Sequence, residues 1–121
     1  MISLVVDIYL FLVYNTSDKS MEEDIVADIN NLVEGKYLVY KGRPLVREGN
    51  TICYGDKTEK CILILEIMSY KDQGGNQVPD KILVQVIDSK DPNKIIKQGA
   101  KEGLYDAFSI GVVWLEHALV Q

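Results

Sequence analysis

The stretch CILILEIMSYKDQGGNQVPDKILVQVID occupies residues 61–88 and contains two apolar runs separated by a polar connection. The runs, residues 61–70 and 81–88, are rich in Ile, Leu and Val, which fit a pleated and buried surface. The connection contains Gly74 and Gly75, which are typical of turns between strands. This stretch therefore predicts a long antiparallel hairpin that forms the central pair of a sheet.

The first strand of this hairpin is apolar on both sides. Ile62 and Ile64 alternate with Leu63 and Leu65, so neither side of the strand is polar. A strand of this kind is covered on both faces or lies at an interface. Glu66 is the polar exception, and because a buried carboxylate needs a partner, Glu66 is a candidate general acid or base. The alternative is that Glu66 reaches the sheet edge and solvent.

Two amphipathic segments predict helices before and after the sheet region. Residues 20–34 place apolar side chains at helical spacing, and Ser20 with Glu23 matches a capping box. Residues 104–120 predict a second helix, whose apolar stripe is wider than one sheet face needs. Gly111 lies in its middle, where glycine costs about 1 kcal/mol relative to alanine. We therefore expect another element to approach the second helix closely at that point.

The order of the predicted elements indicates the fold class. Residues 36–60 alternate strand-like segments with turn residues, and residues 88–103 predict a loop in which Asp91-Pro92 matches the start of a helix. The order helix, strands, helix with hairpin-like connections predicts an α+β fold. We expect a single domain over residues 1–121, built on a mainly antiparallel sheet of about four to five strands. The sheet is predicted to run as a meander through residues 36–88, with both helices packed on one face.

Residues 1–14, MISLVVDIYLFLVY, are almost continuously apolar. The run is shorter than the ~20 apolar residues that a membrane span requires, and it lacks the features of a secretory signal. Its β-branched and aromatic residues favour a strand that is covered on both faces or held against another subunit. In a second interpretation, Met21 starts the domain, residues 1–20 are an upstream extension, and residues 21–121 form the compact core. The predicted interface residues are Leu4, Val6, Ile8 and Leu10, together with Trp114 from the last helix.

The charge of the chain is acidic overall but unevenly distributed. The net charge is −5 and the isoelectric point is near 4.8, which disfavours nucleic acid as a partner. Residues 36–60 and residues 81–101 each carry a net charge of +3 and flank the predicted hairpin. These blocks either meet in space as one basic face or are solvated loop ends. If they meet, the candidate ligand-binding residues for a small anionic molecule are Arg43, Arg47, Lys97 and Lys101.

The remaining reactive side chains are two cysteines and one histidine. Cys53 and Cys61 lie on either side of a turn-like segment, so paired strands would bring the two thiols near one another. Two thiols without a nearby histidine fall short of a tetrahedral metal site, and we expect them to be the reduced, buried thiols of a cytosolic protein. His117 has no Ser or Cys clearly placed beside it, although it remains a second candidate catalytic residue.

These observations lead to three hypotheses about function. The first is association in the cytoplasm, as a homodimer or as an adaptor to another protein, because the chain has more apolar surface than one core needs. The second is a ligand-binding or regulatory module for a small anionic molecule. The third is a small enzyme that uses Glu66 or His117. No cofactor, metal or membrane partner is predicted.

Overall fold

The computed structural model describes residues 19–30, 32 and 37–121, which form two helices and eight strands. The helices are α1 (Lys19–Asn30) and α2 (Leu104–Leu119). The strands in chain order are β1 (Tyr37–Tyr40), β2 (Arg43–Glu48), β3 (Thr51–Tyr54), β4 (Cys61–Ile67), β5 (Tyr70–Gln73), β6 (Asn76–Pro79), β7 (Lys81–Asp88) and β8 (Ile95–Glu102).

Six of these strands form one sheet in the order β1-β2-β3-β4-β7-β8, and every neighbouring pair is antiparallel. Strands β5 and β6 form a separate two-stranded hairpin, which is inserted between β4 and β7. Helix α2 packs across β4, β7 and β8, and α1 packs beside α2. The predicted α+β class is confirmed, although the main sheet has six strands rather than four or five.

The predicted hairpin of residues 61–88 is present as the pair β4–β7, with Ile64 opposite Gln85. The polar connection between the two strands is itself structured, because it forms the β5–β6 hairpin. The φ angles of Gly74 and Gly75 are 60° and 87°. A tight two-residue hairpin turn of type I′ requires positive φ at both central residues, which explains the glycine pair.

The core lies between one face of the sheet and the two helices. Leu63 and Leu65 of β4 are fully buried, as are Phe108 and Leu115 of α2. Helix α1 contributes Ile29, which is also fully buried in the same cluster. Because side chains alternate along a strand, only one set of side chains of each strand takes part in this core.

Gly111 of α2 lies at the closest approach of the helix to the sheet. A Cβ atom at this position would stand 2.8 Å from Leu63 Cδ1 and 3.2 Å from Val84 Cγ1. The close approach that the sequence predicted at this glycine is therefore confirmed.

Arg47 of β2 connects α1 to the sheet. Its guanidinium donates to the backbone oxygens of Ile29 at 3.3 Å and Asn30 at 3.4 Å, and to that of Gly49 at 2.9 Å. It also donates to the Tyr70 hydroxyl of β5 at 3.1 Å. A cation suits the C-terminal part of a helix, where backbone carbonyls have no partner within the helix.

Two sequence-based expectations about individual secondary-structure elements are wrong. The loop predicted for residues 88–103 contains β8, which pairs with β7 from Ile95 to Glu102. This strand forms because β7 presents backbone groups that need partners, and that requirement outweighs the weak strand propensity of Lys, Gln and Gly. Ser20 is not an N-cap, because α1 begins at Lys19 and Ser20 lies inside the helix.

Neither helix of the described residues combines the length and the apolar character that a membrane span requires.

Candidate functional site

The face of the main sheet opposite the helices carries apolar side chains that lie outside the core. Both helices pack on the other face, so no helix of the described residues covers this one. We call it the open face. Its side chains follow from strand alternation and from the pairing register. They are Tyr37, Val39, Pro44, Val46, Glu48, Thr51, Cys53, Ile62, Ile64, Glu66, Leu83, Gln85, Ile87, Ile95, Gln98 and Ala100.

The centre of the open face is apolar. Cys53 of β3 lies opposite Ile64 of β4, and this pair stands in the third and fourth of the six strands. Val46 of β2 continues the same row on one side of the pair. Cys53, Ile64 and Val46 are only partly exposed, although nothing in the described part of the chain packs over them. Neighbouring side chains of the same face therefore shield one another.

Four polar side chains of this face form two pairs. Thr51 donates a short hydrogen bond to the carboxylate of Glu66 on the adjacent strand. Gln85 Nε2 donates to Gln98 Oε1 at 3.0 Å across β7 and β8. These two pairs satisfy several polar atoms of the open face without a partner molecule.

Cys53 lies beside a shallow concavity of about 270 Å³ that Val46, Glu48 and Thr51 also line. Burial raises the pKa of the Cys53 thiol, and the neighbouring Glu48 carboxylate raises it further. A raised pKa lowers the thiolate fraction at neutral pH, so the thiol reacts more slowly as a nucleophile. Cys53 therefore contributes to this face as a small apolar side chain rather than as a catalytic thiol.

Arg43 and Arg47, two of the candidate ligand-binding residues, both lie on β2 and bind other parts of the chain. Arg43 forms a bidentate ion pair with Glu59, with Nε–Oε1 at 2.8 Å and Nη2–Oε2 at 3.2 Å. The hydrogen bond to Glu59 raises the pKa of Arg43 above its usual range. Arg47 is engaged by backbone oxygens of α1 and of the β2–β3 turn.

Lys97 and Lys101, the other two candidates, lie on β8 at the far edge of the sheet. Three strands separate β8 from β2, which corresponds to about 19 Å at the usual strand spacing. The four cations therefore lie on two separate strands and do not form one cluster. Lys97 Nζ lies 4.9 Å from the centre of the Trp114 ring, a cation–π arrangement.

Glu66 and His117, the candidate catalytic residues, lie on opposite sides of the sheet. Glu66 belongs to the open face, whereas His117 lies on α2, which packs against the other face. Cys53 and Cys61 are both free, and they also point to opposite faces because Cys61 is buried in the core. Among the described residues, no group of three or more His, Cys, Asp and Glu side chains has an arrangement that could hold a metal ion.

The predicted interface residues divide into two groups. Leu4, Val6, Ile8 and Leu10 lie outside the described residues. Trp114 is partly buried and packs over β8, where a Cβ atom at Gly99 would stand 3.0 Å from Trp114 Cη2.

No protein-family model matches this chain, and no curated protein or solved structure matches it either. The arguments about function therefore come from the surfaces themselves. The sequence indicated surplus apolar surface through the two apolar sides of residues 61–67. It did not indicate the contribution of Val46 and Cys53, because their strands are short and carry no clear alternation.

Proposed function

We propose that this protein acts by association, as a homodimer whose two subunits pack through their open faces. The observation that supports the proposal is the apolar centre of the open face around Cys53 and Ile64, which no described element covers. A sheet that is apolar on both faces normally has both faces covered. A second copy of the same sheet supplies such a cover without any further component.

The size of the open face suits a modest dimer interface. Six strands at their usual spacing and three rows of side chains give a flat area on the order of 500 Å². Two copies together therefore cover about 1,000 Å², which is near the lower limit for a specific interface. The accessible surface of the projecting side chains adds to the flat area. Two such sheets would stack about 10 Å apart, as in a β-sandwich.

The pairing of Cys53 with Ile64 at the centre restricts the geometry of this dimer. A homodimer of this kind has a two-fold axis, which for face-to-face sheets lies in the plane between them. An axis through the centre places Cys53 of one subunit against Cys53 or Ile64 of the other. The two Cys53 thiols then lie within the reach of a short bismaleimide cross-linker.

A charged side chain at the centre tests this proposal directly. Ile64→Glu places an unpaired carboxylate in the apolar interface, and burying such a charge is strongly unfavourable. We expect the full chain to have the mass of a dimer in light scattering and the Ile64→Glu variant to have the mass of a monomer. Val120→Glu is the matched control, because Val120 is 81% exposed at the end of α2 and its substitution should leave the dimer intact.

Cross-linking with bismaleimidoethane provides a second, independent readout. The Cys61→Ser variant retains Cys53 and should give a covalent dimer. The Cys53→Ser variant retains only the core thiol of Cys61 and should remain monomeric on a denaturing gel. A wild-type chain that has the mass of a monomer in light scattering at micromolar concentration would rule out the open-face dimer, whatever the yield of the cross-link.

A further inference from the structure

Strand β8 forms one edge of the main sheet, and no strand pairs with its outer side in the part of the chain that the structure describes. Gly103 N donates to Asp80 O at 2.6 Å, just beyond the last residue pair of β7 and β8. Bonded and non-bonded residue pairs alternate along an antiparallel ladder. Every second residue counted back from Gly103 is therefore bonded to β7, and Gly99 is one of them. Ala100 and Gln98 lie on either side of Gly99 and direct their backbone N–H and C=O groups outward. The outer edge thus offers a row of hydrogen-bonding groups to another strand.

A concavity of about 370 Å³ lies beside this edge, between β8 and the outer flank of α2. Its apolar lining comes from Ile110 and Val113, and Lys101 of β8 lies at its border. Val113 is 55% exposed, which is unusual for a valine on a helix that packs against a sheet. This flank accounts for part of the wide apolar stripe that the sequence showed in residues 104–120. A strand added to β8 would place alternate side chains over Ile110 and Val113.

The charges on β8 favour a foreign strand over a second β8. Lys97 and Lys101 lie on the side that faces α2, one over Trp114 and one beside the concavity. Two copies of β8 paired antiparallel around Gly99 would set Lys97 of each copy opposite Lys101 of the other. Like charges directly opposite each other destabilise a strand pair. An acidic side chain of a foreign strand, placed opposite Lys97 or Lys101, would instead be attracted to the lysine.

We propose that the outer edge of β8 and the adjoining flank of α2 form a docking site for an extended peptide. The peptide adds a strand beside β8, which is a common mode of peptide recognition. On the side facing α2 it carries apolar side chains over Val113 and acidic side chains near Lys97. Asp106 also borders the concavity, so the acidic side chains belong at the Lys97 end of the strand. This site lies at the edge of the sheet and on the side that faces α2, and it shares only strand β8 with the open face, so it gives the protein a second surface for association.

The experiment begins with random 12-residue peptides displayed on phage and selected on the full chain. We expect the enriched peptides to carry apolar residues at alternate positions in one half and acidic residues at alternate positions in the other half. A synthetic, fluorescein-labelled copy of the best peptide then serves as the probe in anisotropy titrations. No enrichment over an unrelated protein on the same support would overturn the proposal.

Two variants at one residue separate strand addition from other binding. Ala100→Pro removes an outward N–H group and blocks the edge, and proline is tolerated on edge strands because it breaks no bond to β7. We expect this variant to bind the probe at least about tenfold more weakly, a loss of about 1.4 kcal/mol. Ala100→Thr keeps the N–H group and is the matched control, with affinity within about twofold of the wild type. Equal affinity in both variants would overturn the proposal.

A third variant keeps the test valid if Ala100→Pro fails to fold. Val113→Asp changes an exposed side chain of the concavity, so the fold should be retained while an acidic probe is repelled. We expect at least about tenfold weaker binding in this variant as well. Wild-type affinity for the probe would exclude the concavity from the docking site.

A second copy of the protein, or another part of the same chain, could occupy the β8 edge instead of a peptide, and each can be recognised by a measurement. If Ala100→Pro lowers the mass in light scattering while Ala100→Thr leaves it unchanged, a second copy pairs at β8 and the proposal is wrong. If the Ala100 amide is protected from hydrogen exchange in the wild-type chain without peptide, another part of the chain already covers the edge, and the proposal is again wrong. The open-face variant Ile64→Glu should bind the probe normally, so failure of one proposal does not imply failure of the other.

Discussion

Gly111 has no Cβ atom, and this allows α2 to lie close to the sheet. Alanine would favour the helix by about 1 kcal/mol, but its Cβ would stand 2.8 Å from Leu63 Cδ1. Overpacking of a tight core typically costs about 1–3 kcal/mol. We therefore expect Gly111→Ala to lower the free energy of unfolding, by up to about 2 kcal/mol after the helix gain is subtracted. Urea unfolding followed by circular dichroism measures the change.

A double variant tests whether the loss comes from this contact. Leu63→Val shortens the side chain that meets the new methyl group. If the clash is responsible, Gly111→Ala in the Leu63→Val background should destabilise the protein less than it does in the wild type. Additive losses from the two substitutions would show that the cause lies elsewhere.

Tyr54 gives the protein a specific sensitivity to alkaline pH. Its hydroxyl donates to the backbone oxygen of Tyr40 at 2.6 Å, inside a cluster with Phe108. Burial raises the pKa of Tyr54 well above its usual range. The folded state therefore keeps its proton while the unfolded state loses it above about pH 10, so stability should fall as the pH rises through this range. The decrease attributable to one such group is up to about 1.4 kcal/mol per pH unit.

Tyr54→Phe should remove this contribution, at the cost of about 1 kcal/mol at neutral pH for the lost hydrogen bond. The measurement is the free energy of unfolding in urea between pH 8 and 11. Tyr37→Phe is the control, because Tyr37 is largely exposed on β1. An alkaline decline that is identical in the Tyr54→Phe variant and the wild type would contradict this account.

At the scale of elements, Arg47 is the polar connection between α1 and the sheet. Lysine cannot reproduce the planar fork of a guanidinium, so Arg47→Lys should lose several of its four hydrogen bonds. We expect α1 amides to exchange faster by an amount that corresponds to about 1 kcal/mol, while β4 and β7 amides are unchanged. Arg43→Lys on the same strand breaks the pair with Glu59 and should leave α1 exchange unaltered. Faster exchange in all elements would mean that α1 and the sheet open as one unit.

The elements that the sequence predicted well are those whose burial pattern is strong. In residues 61–67 and 104–119 the apolar spacing alone indicates strand and helix, and the structure confirms both. Strand β8 was missed because Lys97, Gly99 and Lys101 have no apolar alternation of their own. Its identity depends on β7, whose backbone needs a partner on that side. Gly99 in turn provides the space that the Trp114 ring occupies.

At the scale of the molecule, the sequence predicted surplus apolar surface but not which side chains of the sheet carry it. Ile62 and Ile64 lie on one side of β4, and the other side of this strand is apolar as well. Alternation does not reveal which of the two sides the helices cover. That choice follows from tertiary packing of α2, which covers Leu63 and Leu65 and leaves the other side open. The apolar character of the candidate site was therefore predictable from the sequence, whereas its location on the open face comes from the structure.

This difference leads to opposing expectations for a chain that starts at Met21. The sequence places the interface in residues 1–14, so removal of residues 1–20 should abolish association. The open face consists of residues between Tyr37 and Ala100, so an open-face dimer should survive the truncation. We expect the truncated chain to have the mass of a dimer in light scattering, and Ile64→Glu to convert both the full and the truncated chain to monomers. A truncated chain that is folded and monomeric, combined with a full-length Ile64→Glu variant that remains dimeric, would move the interface to residues 1–14.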